Sequence, residues 1–557
     1  MDVRAGREQD PLESQTPRRS PQTQGPQRTW FPIAWVAGLA ALYAGFWINA
    51  GLRQGDWGLV NSIGHGAIIL GAFGLAVWTL RSSGLSWGKR LSAVGVPLFF
   101  VAGHYLQFSP LEAVHNGDVG IVGWRWRWAE PDQLLPPPPA AEPAAVAGAD
   151  DWAEAADDYP RFLGTGYWAE APSAAVDWDK LHAPPREVWR RAVGAGWSAF
   201  AVTGGYAVTQ EQRGDQEMTV CYRLTTGAIA WTHADDVRWD PAGSGALGYP
   251  GPRATPTADA GRVYTQGATG VVNCLDMRSG ALLWSRDTLR EQGAENLVWG
   301  KAGSPLVEGG LVLISVGGTD NRSLAAYDAV SGELAWTAGS RRSSYASPIA
   351  AELCGERQIL VVNEGFLTAH RIADGKVLWE HPWPSGSGSD AAASQPVPLG
   401  DDRVFLSKGY GTGSTVLRVQ LGSDGAWSTS TVWARAVMKT KMGNVVVRDG
   451  HAYGLDEVYL QCIDLATGRS QWKKRRTPSF GHGQILLVDG KLLVLTEEGE
   501  AVFVEATPDG YREFAAFPAV SGLTWNNPAV AGRWLVIRNA QEAACFELPL
   551  VAATPEL

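Results

Sequence analysis

The chain has 557 residues, with 47 Lys and Arg against 57 Asp and Glu, and its formal net charge of −10 argues against a nucleic-acid binder. A hydrophobic share of 45% excludes global disorder, and five cysteines with no CxxC exclude a disulfide framework or a cysteine zinc site. Gly 66 and Trp 26 are the unusual counts, and they favour an all-β protein with many turns and a recurring aromatic position.

Residues 1–28 are polar and rich in Pro, Gln and Arg, and are predicted to be a disordered cytoplasmic tail. Within 29–111 lie three apolar stretches, about 30–52, 57–80 and 91–111. Each has the roughly 20 residues that an α-helix needs to cross a bilayer, so three transmembrane helices are predicted. Arg4, Arg7, Arg18, Arg19 and Arg28 precede them, Arg53 alone lies in the first loop, and Arg81, Lys89 and Arg90 occupy the second. That distribution places the N-terminus in the cytoplasm and the rest of the chain outside it. His65 and His104 within these stretches are read as neutral, hydrogen-bonded groups. Residues 112–184 read as a linker, with a Pro/Ala run at 129–148 and an acidic lead-in, DDWAEAADDYPRFLG.

From there the sequence repeats. CYRLTTGAIAW, CLDMRSGALLW, AYDAVSGELAW, AHRIADGKVLW and CIDLATGRSQW each place a tryptophan four residues after a turn glycine, at Trp231, Trp284, Trp336, Trp379 and Trp472. Weaker copies end at Trp433 and Phe514. A second series of turns, at 204–205, 260–261, 309–310, 355–356, 401–402, 449–450, 489–490 and 531–532, adds eight hairpins at blade-like spacing. The eighth unit ends at CFELPL without its aromatic, whereas Trp189 in REVWRR has no unit of its own. Pairing that strand onto the last unit closes the ring and removes the exposed edges. The prediction is an eight-bladed β-propeller over 185–550 with a short tail at 551–557. Its repeat aromatics, Trp189 included, should dock between blades. Cys221, Cys274, Cys462 and Cys545 recur at one repeat position and read as small buried groups.

The entries to the first strands line a propeller's channel and gather chemistry at one mouth. They bring together Trp197, Arg253, Thr255, Lys301, Ser304, Tyr345, Ser347, Gln395, Lys439, Lys441, His482, Gln484, Trp525 and Asn526, with Glu211, Asn363, Glu364, Asp456, Glu457 and Asn539 at second-strand ends. Arg253, Lys301, Lys439 and Lys441 suit an anionic ligand, and Trp197 or Trp525 could stack on a planar one. The alternative is that these polar groups fill a wet channel and satisfy strand ends.

The AxDxxTGxxxW pattern resembles the pyrroloquinoline-quinone (PQQ) type propeller repeat. That family includes the quinoprotein dehydrogenases and the propeller lipoprotein of bacterial outer-membrane assembly. DYPRFLG, WRRAVGAGWSAFAV, GPRATPT, GHGQILL and WNNPAVAGRWLVIRNAQE further resemble membrane-anchored PQQ-like-repeat proteins of planctomycete-type bacteria. The resemblance implies a noncatalytic binding or scaffold propeller in the inner membrane, facing the periplasm and holding an envelope protein or extracellular ligand, with no cofactor and no metal. Its enzyme alternative is a PQQ- and Ca²⁺-dependent alcohol or sugar dehydrogenase. Glu211, Asn363 and Asp456 would then be the calcium-ligand and general-base types, with Lys301 at the quinone. Glu211 and Asp456 are the catalytic candidates of that alternative.

Overall fold

The computed structural model describes residues 155–551 apart from 167, 173–174, 241–249 and 385–390, together with strands Leu111–His115 and Ile121–Trp126 and four isolated positions. The three apolar stretches expected to cross a membrane lie outside the described residues. Among those described, no helix is long and apolar enough to cross one. The two strands at 111–126 pair with each other.

Eight four-stranded antiparallel sheets follow. Blades 1 to 7 cover 201–235, 257–287, 306–338, 349–382, 397–435, 445–474 and 484–518. Blade 8 takes three strands from 529–547 and its fourth from Arg186–Ala192, which pairs antiparallel with Glu542–Glu547. The ring therefore closes on the predicted strand, and no blade presents an unfinished sheet at the junction. First strands of neighbouring blades touch one another, which puts them around the axis.

The repeat tryptophan sits opposite a small residue on the adjacent strand. The pairs include Trp231 with Cys221, Trp284 with Cys274, Trp472 with Cys462 and Trp189 with Cys545. All four of these cysteines are buried and free. Each indole then reaches the next blade. Trp284 Nε1 donates to Ala329 O at 3.2 Å, Trp231 Nε1 to Met277 O at 2.8 Å, and Trp189 Nε1 to Leu224 O at 2.7 Å, which locks the closing strand. Trp336, Trp433 and Trp472 do the same to Ile372, Leu465 and Thr507. An indole left without a partner in such a seam would forfeit a hydrogen bond as well as its packing.

Two repeat aromatics depart from this pattern. Trp379 donates to Gln358 Oε1 of its own blade at 2.8 Å. Phe514 does not occupy the tryptophan position: Ala515 pairs with Phe503, and Phe514 falls in the bulge beside it. The cause is a longer turn. Glu505 N bonds to Arg512 O, whereas in blade 1 Arg223 N bonds to Ala228 O. Two hairpins also shift by one residue: the turns lie at 354–355 and 532–533, with Glu356 and Ala531 already in strands.

Residues 155–181, read in sequence as the end of a linker and acidic lead-in, form a strap across the hairpin turns of the first strands. Tyr159 bridges Val202 of blade 1, and Ala258 N of blade 2 donates to Pro160 O. Trp168 packs on the core of blades 5 and 6, and Ala169 and Ala171 exchange backbone hydrogen bonds with Leu487 of blade 7. The Asp158 carboxylate accepts from Thr203 Oγ1 at 2.8 Å and Gly204 N at 3.1 Å, fixing the strap to the first turn. Trp178 lies 5.7 Å from Phe503 and 5.8 Å from Phe514, supplying the indole that blade 7 lacks.

Candidate functional site

Polar residues at the first-strand entries bond one blade to the next. Ala199 N donates to Thr255 Oγ1 at 3.1 Å, Thr255 N to Ser304 Oγ at 2.9 Å, and Ser304 N to Ser347 Oγ at 2.8 Å. Gln395 N donates to Asn444 Oδ1 at 3.0 Å, and Asn526 Nδ2 bonds Ser198 O across the closing seam at 2.8 Å. The side chains of Thr255, Ser304, Ser347, Asn444 and Asn526 each satisfy a backbone group of a neighbouring blade.

Inside that ring lies a cavity of about 170 Å³. Its walls carry Trp197, Trp299, Tyr345, Tyr410 and Trp525, with Arg253, Lys441, Gln395 and Asn527 as the main polar groups. Phe162 of the strap also lines it. Trp197 and Trp525 stand 4.7 Å apart, and Trp299 meets Tyr345 edge-on at 5.6 Å, so two aromatic pairs form much of the wall. Trp525 is oriented by its Nε1 hydrogen bond to Glu497 Oε1 at 2.8 Å. Arg253 donates to Gly251 O at 2.6 Å, and burial lowers its pKa to about 10 despite the opposing field of Glu217. Buried acceptors Gln395 Oε1 and Asn527 Oδ1 have no hydrogen-bond partner among the described residues.

Of the predicted mouth residues, Trp197, Arg253, Ser304, Tyr345, Ser347, Gln395, Lys441 and Trp525 therefore line one cavity. Lys441 is ion-paired with Glu457 at 3.1 Å, both nearly fully buried, and its ammonium lies 5.8 Å from the Tyr410 ring centre. The other candidates lie elsewhere. Lys439 faces Asp456 at 3.7 Å, and Asp456 is held again by Lys473 at 2.7 Å. Lys301 is buried, donating to Val316 O and Ser343 Oγ at 3.0 Å each, and burial lowers its pKa to about 7. Asn363 is enclosed in blade 4, where its Nδ2 bonds Thr368 Oγ1 at 2.8 Å. The backbone N–H of His482 donates to Glu497 Oε2, and Asn526 belongs to the closing seam.

Glu211 is fully buried. It pairs with Arg213 at 2.7 Å and accepts from Gly194 N and the Tyr222 hydroxyl. Arg538 of blade 8 completes this inner junction, donating to Gly194 O, Gln210 O and Thr209 Oγ1. Glu211, Asn363 and Asp456 thus sit in blades 1, 4 and 6 with separate partners. They do not form the oxygen-ligand set that calcium requires. Among the described residues no group of three or more His, Cys, Asp or Glu could hold a metal.

Sequence reasoning missed Phe162, Trp299, Tyr410, Met442 and Asn527. Trp299 stands two residues before Lys301 in a first-strand entry and could have been included on that ground. Tyr410 comes from the GYGTG turn between inner strands, and no repeat marks it. The buried Glu217 was also missed; it accepts from Ala268 N, and burial pushes its pKa up to about 8.

A closed ring of eight four-stranded blades, with a ring-lined mouth, defines the class of protein as an eight-bladed β-propeller. Residues 216–474, from the third strand of blade 1 to the outer strand of blade 6, match the family model described as outer membrane protein assembly factor BamB. No curated protein matches the chain. Among solved structures it is similar to BamB from Moraxella catarrhalis, at 14% identity and a TM-score of 0.48, covering 65% of this chain and 99% of that one. It is also similar to the quinohemoprotein alcohol dehydrogenase of Comamonas testosteroni, at 13% identity and a TM-score of 0.41, over 72% and 82% of the two chains. A europium-containing methanol dehydrogenase is similar at 10% identity and a TM-score of 0.43, over 69% and 90%.

Proposed function

We propose that the chain is a noncatalytic binding propeller whose channel mouth holds a ring-bearing, anionic ligand. The observation that carries this is the cavity itself, with aromatic walls on several sides and Arg253 and Lys441 as its cations. The calcium-ligand and general-base candidates of the dehydrogenase alternative, Glu211 and Asp456, are engaged in internal ion pairs outside it. Only two of the four cations expected at the mouth line the cavity, and Lys441 already faces Glu457, so ring contact outweighs charge in holding the ligand. The three apolar stretches within 29–111 would anchor the protein in a bacterial inner membrane with the propeller in the periplasm. There the rim would present the ligand, or an envelope protein carrying it.

The test is a titration of the full chain in detergent with PQQ, a planar tricarboxylate, followed by tryptophan quenching with and without Ca²⁺. Saturable, calcium-independent binding weakened at least tenfold by Trp525→Ala or Arg253→Gln is the expected result. Binding that needs calcium and supports substrate-dependent dye reduction would return the dehydrogenase. Quenching unchanged by either substitution would remove this cavity as the site.

A further inference from the structure

One residue of the cavity lining does not come from the repeats. Phe162 belongs to the strap, which crosses the opposite end of the channel from the strand entries. A second, smaller cavity of about 10 Å³ shares Phe162, Ser304, Ser347 and Gln395 with the first. Its remaining walls are Arg161, Leu163, Thr257, Pro305, Pro348 and Ile349, positions on the strap and further along the first strands. Phe162 is the only aromatic residue among the four that border both spaces.

The backbone is built to hold it there. Leu163, immediately after Phe162, has a φ of 62°, a left-handed conformation costly for a side chain branched beyond Cβ. Gly164 follows at φ 78°, where an added Cβ would lie 2.6 Å from Glu170 O and 2.9 Å from the Tyr159 ring. The reversal buries Leu163 and Tyr159 in the core, both 2% exposed, and leaves Phe162 half-buried, packed against that core and lining the cavity. Strain held by burial at Leu163, next to the residue that lines the cavity, points to positioning of Phe162.

We propose that Phe162 is a specificity-determining residue that sets how deeply a ligand enters the channel, so that the strap, and not the blades, selects ligand length. The inference rests on the binding reading above. In this arrangement rings stack against Trp197, Trp525, Trp299 and Tyr345 while acidic groups remain toward Arg253 and Lys441, and the Phe162 ring stops the ligand's far end. Removing that ring joins the lower space to the upper one and lengthens the site without touching its aromatic walls or its cations.

Rigid aryl carboxylates measure this directly. Benzoate, biphenyl-4-carboxylate and p-terphenyl-4-carboxylate would be titrated against the full chain in detergent, with Trp525→Ala reporting non-specific quenching. The wild type should lose affinity at the longest rod. Phe162→Ala should gain at least tenfold for that rod relative to the wild type, with little change for benzoate, and Phe162→Leu should fall between them. Equal thermal midpoints for Phe162→Leu and the wild type keep the comparison valid if the alanine variant unfolds. An unchanged length profile in both variants, with binding still sensitive to Trp525→Ala, overturns the role of Phe162 and leaves the site standing. No rod binding in a Trp525-sensitive manner overturns both.

Discussion

At the seam between blades 2 and 3, the Trp284 ring lies on Gly332, and its indole N–H reaches Ala329 O. Between blades 4 and 5 the same two residue types are present, but Trp379 turns to its own Gln358 and Gly425 has open space around it. The third and outer strands of blade 5 run to Leu421 and start at Trp427, so their hairpin extends past the place where an indole could dock. That seam uses other contacts: His381 Nδ1 to Thr429 Oγ1 at 3.1 Å, Lys408 Nζ to Trp383 O at 2.9 Å, and a hydrophobic cluster continuous from blade 4 into blade 5, against which Trp427 packs. The turn glycine therefore has two separable roles, left-handed backbone and a surface for the neighbouring indole. Only the first is present at Gly425.

The largest effect should come from removing the indole of a docked seam. Trp284→Ala is expected to cost about 3–5 kcal/mol, read as a lower urea midpoint. A loss under about 1 kcal/mol would show that the seam is held by something else. A finer comparison separates the two roles of glycine. Gly332 and Gly425 have φ of 70° and 78°, so alanine at either pays roughly 1–2 kcal/mol for the left-handed conformation. At Gly332 the new Cβ would also stand 2.5 Å from the Trp284 ring, adding about 1–3 kcal/mol of overpacking. Equal losses at the two positions would remove the packing role.

The same contrast explains what could be read from the sequence. Blade number, the docking tryptophans and the closing strand at Trp189 were legible because each repeats a spacing that one hydrogen-bonding geometry imposes. Phe514 misled because the turn in VEATPDGYREF keeps the glycine spacing while lengthening the loop, which moves the aromatic into a bulge. The site was half legible. Trp197, Arg253, Lys441 and Trp525 lie at strand entries, where topology alone places them near the axis. Lys301, Lys439 and Asp456 lie near that axis too, yet whether a side chain faces the cavity or a neighbouring carboxylate depends on pairing that no spacing records. Phe162 lay in a stretch that looked like an acidic linker. Its aromatics, Tyr159, Phe162 and Trp168, were the available signal, since a solvated linker has no need of them.

A last comparison concerns the seams that bury charge differently, and its effect is read as a dependence on pH. Asp456 and Lys441 have buried partners of opposite sign, whereas Lys301 between blades 3 and 4 is held by neutral oxygens, and Glu217 between blades 1 and 2 by a backbone N–H. Burial raises the Glu217 pKa from 4.5 to about 8, so between those values the unfolded chain is ionised while the native one keeps its proton. Stability contributed by this group is full below pH 4.5 and lost as pH rises through 8. Lys301 runs the other way. Its pKa falls from 10.5 to about 7, so its contribution is full above pH 10.5 and lost as pH falls through 7. Each slope is at most about 1.4 kcal/mol per pH unit. Urea midpoints should therefore fall from pH 5 towards 7.5 and recover above 8. Glu217→Gln should flatten the first limb and leave the second, and Lys301→Met should do the reverse. Identical profiles for wild type and both variants would mean that neither buried group keeps its shifted proton affinity in the folded ring.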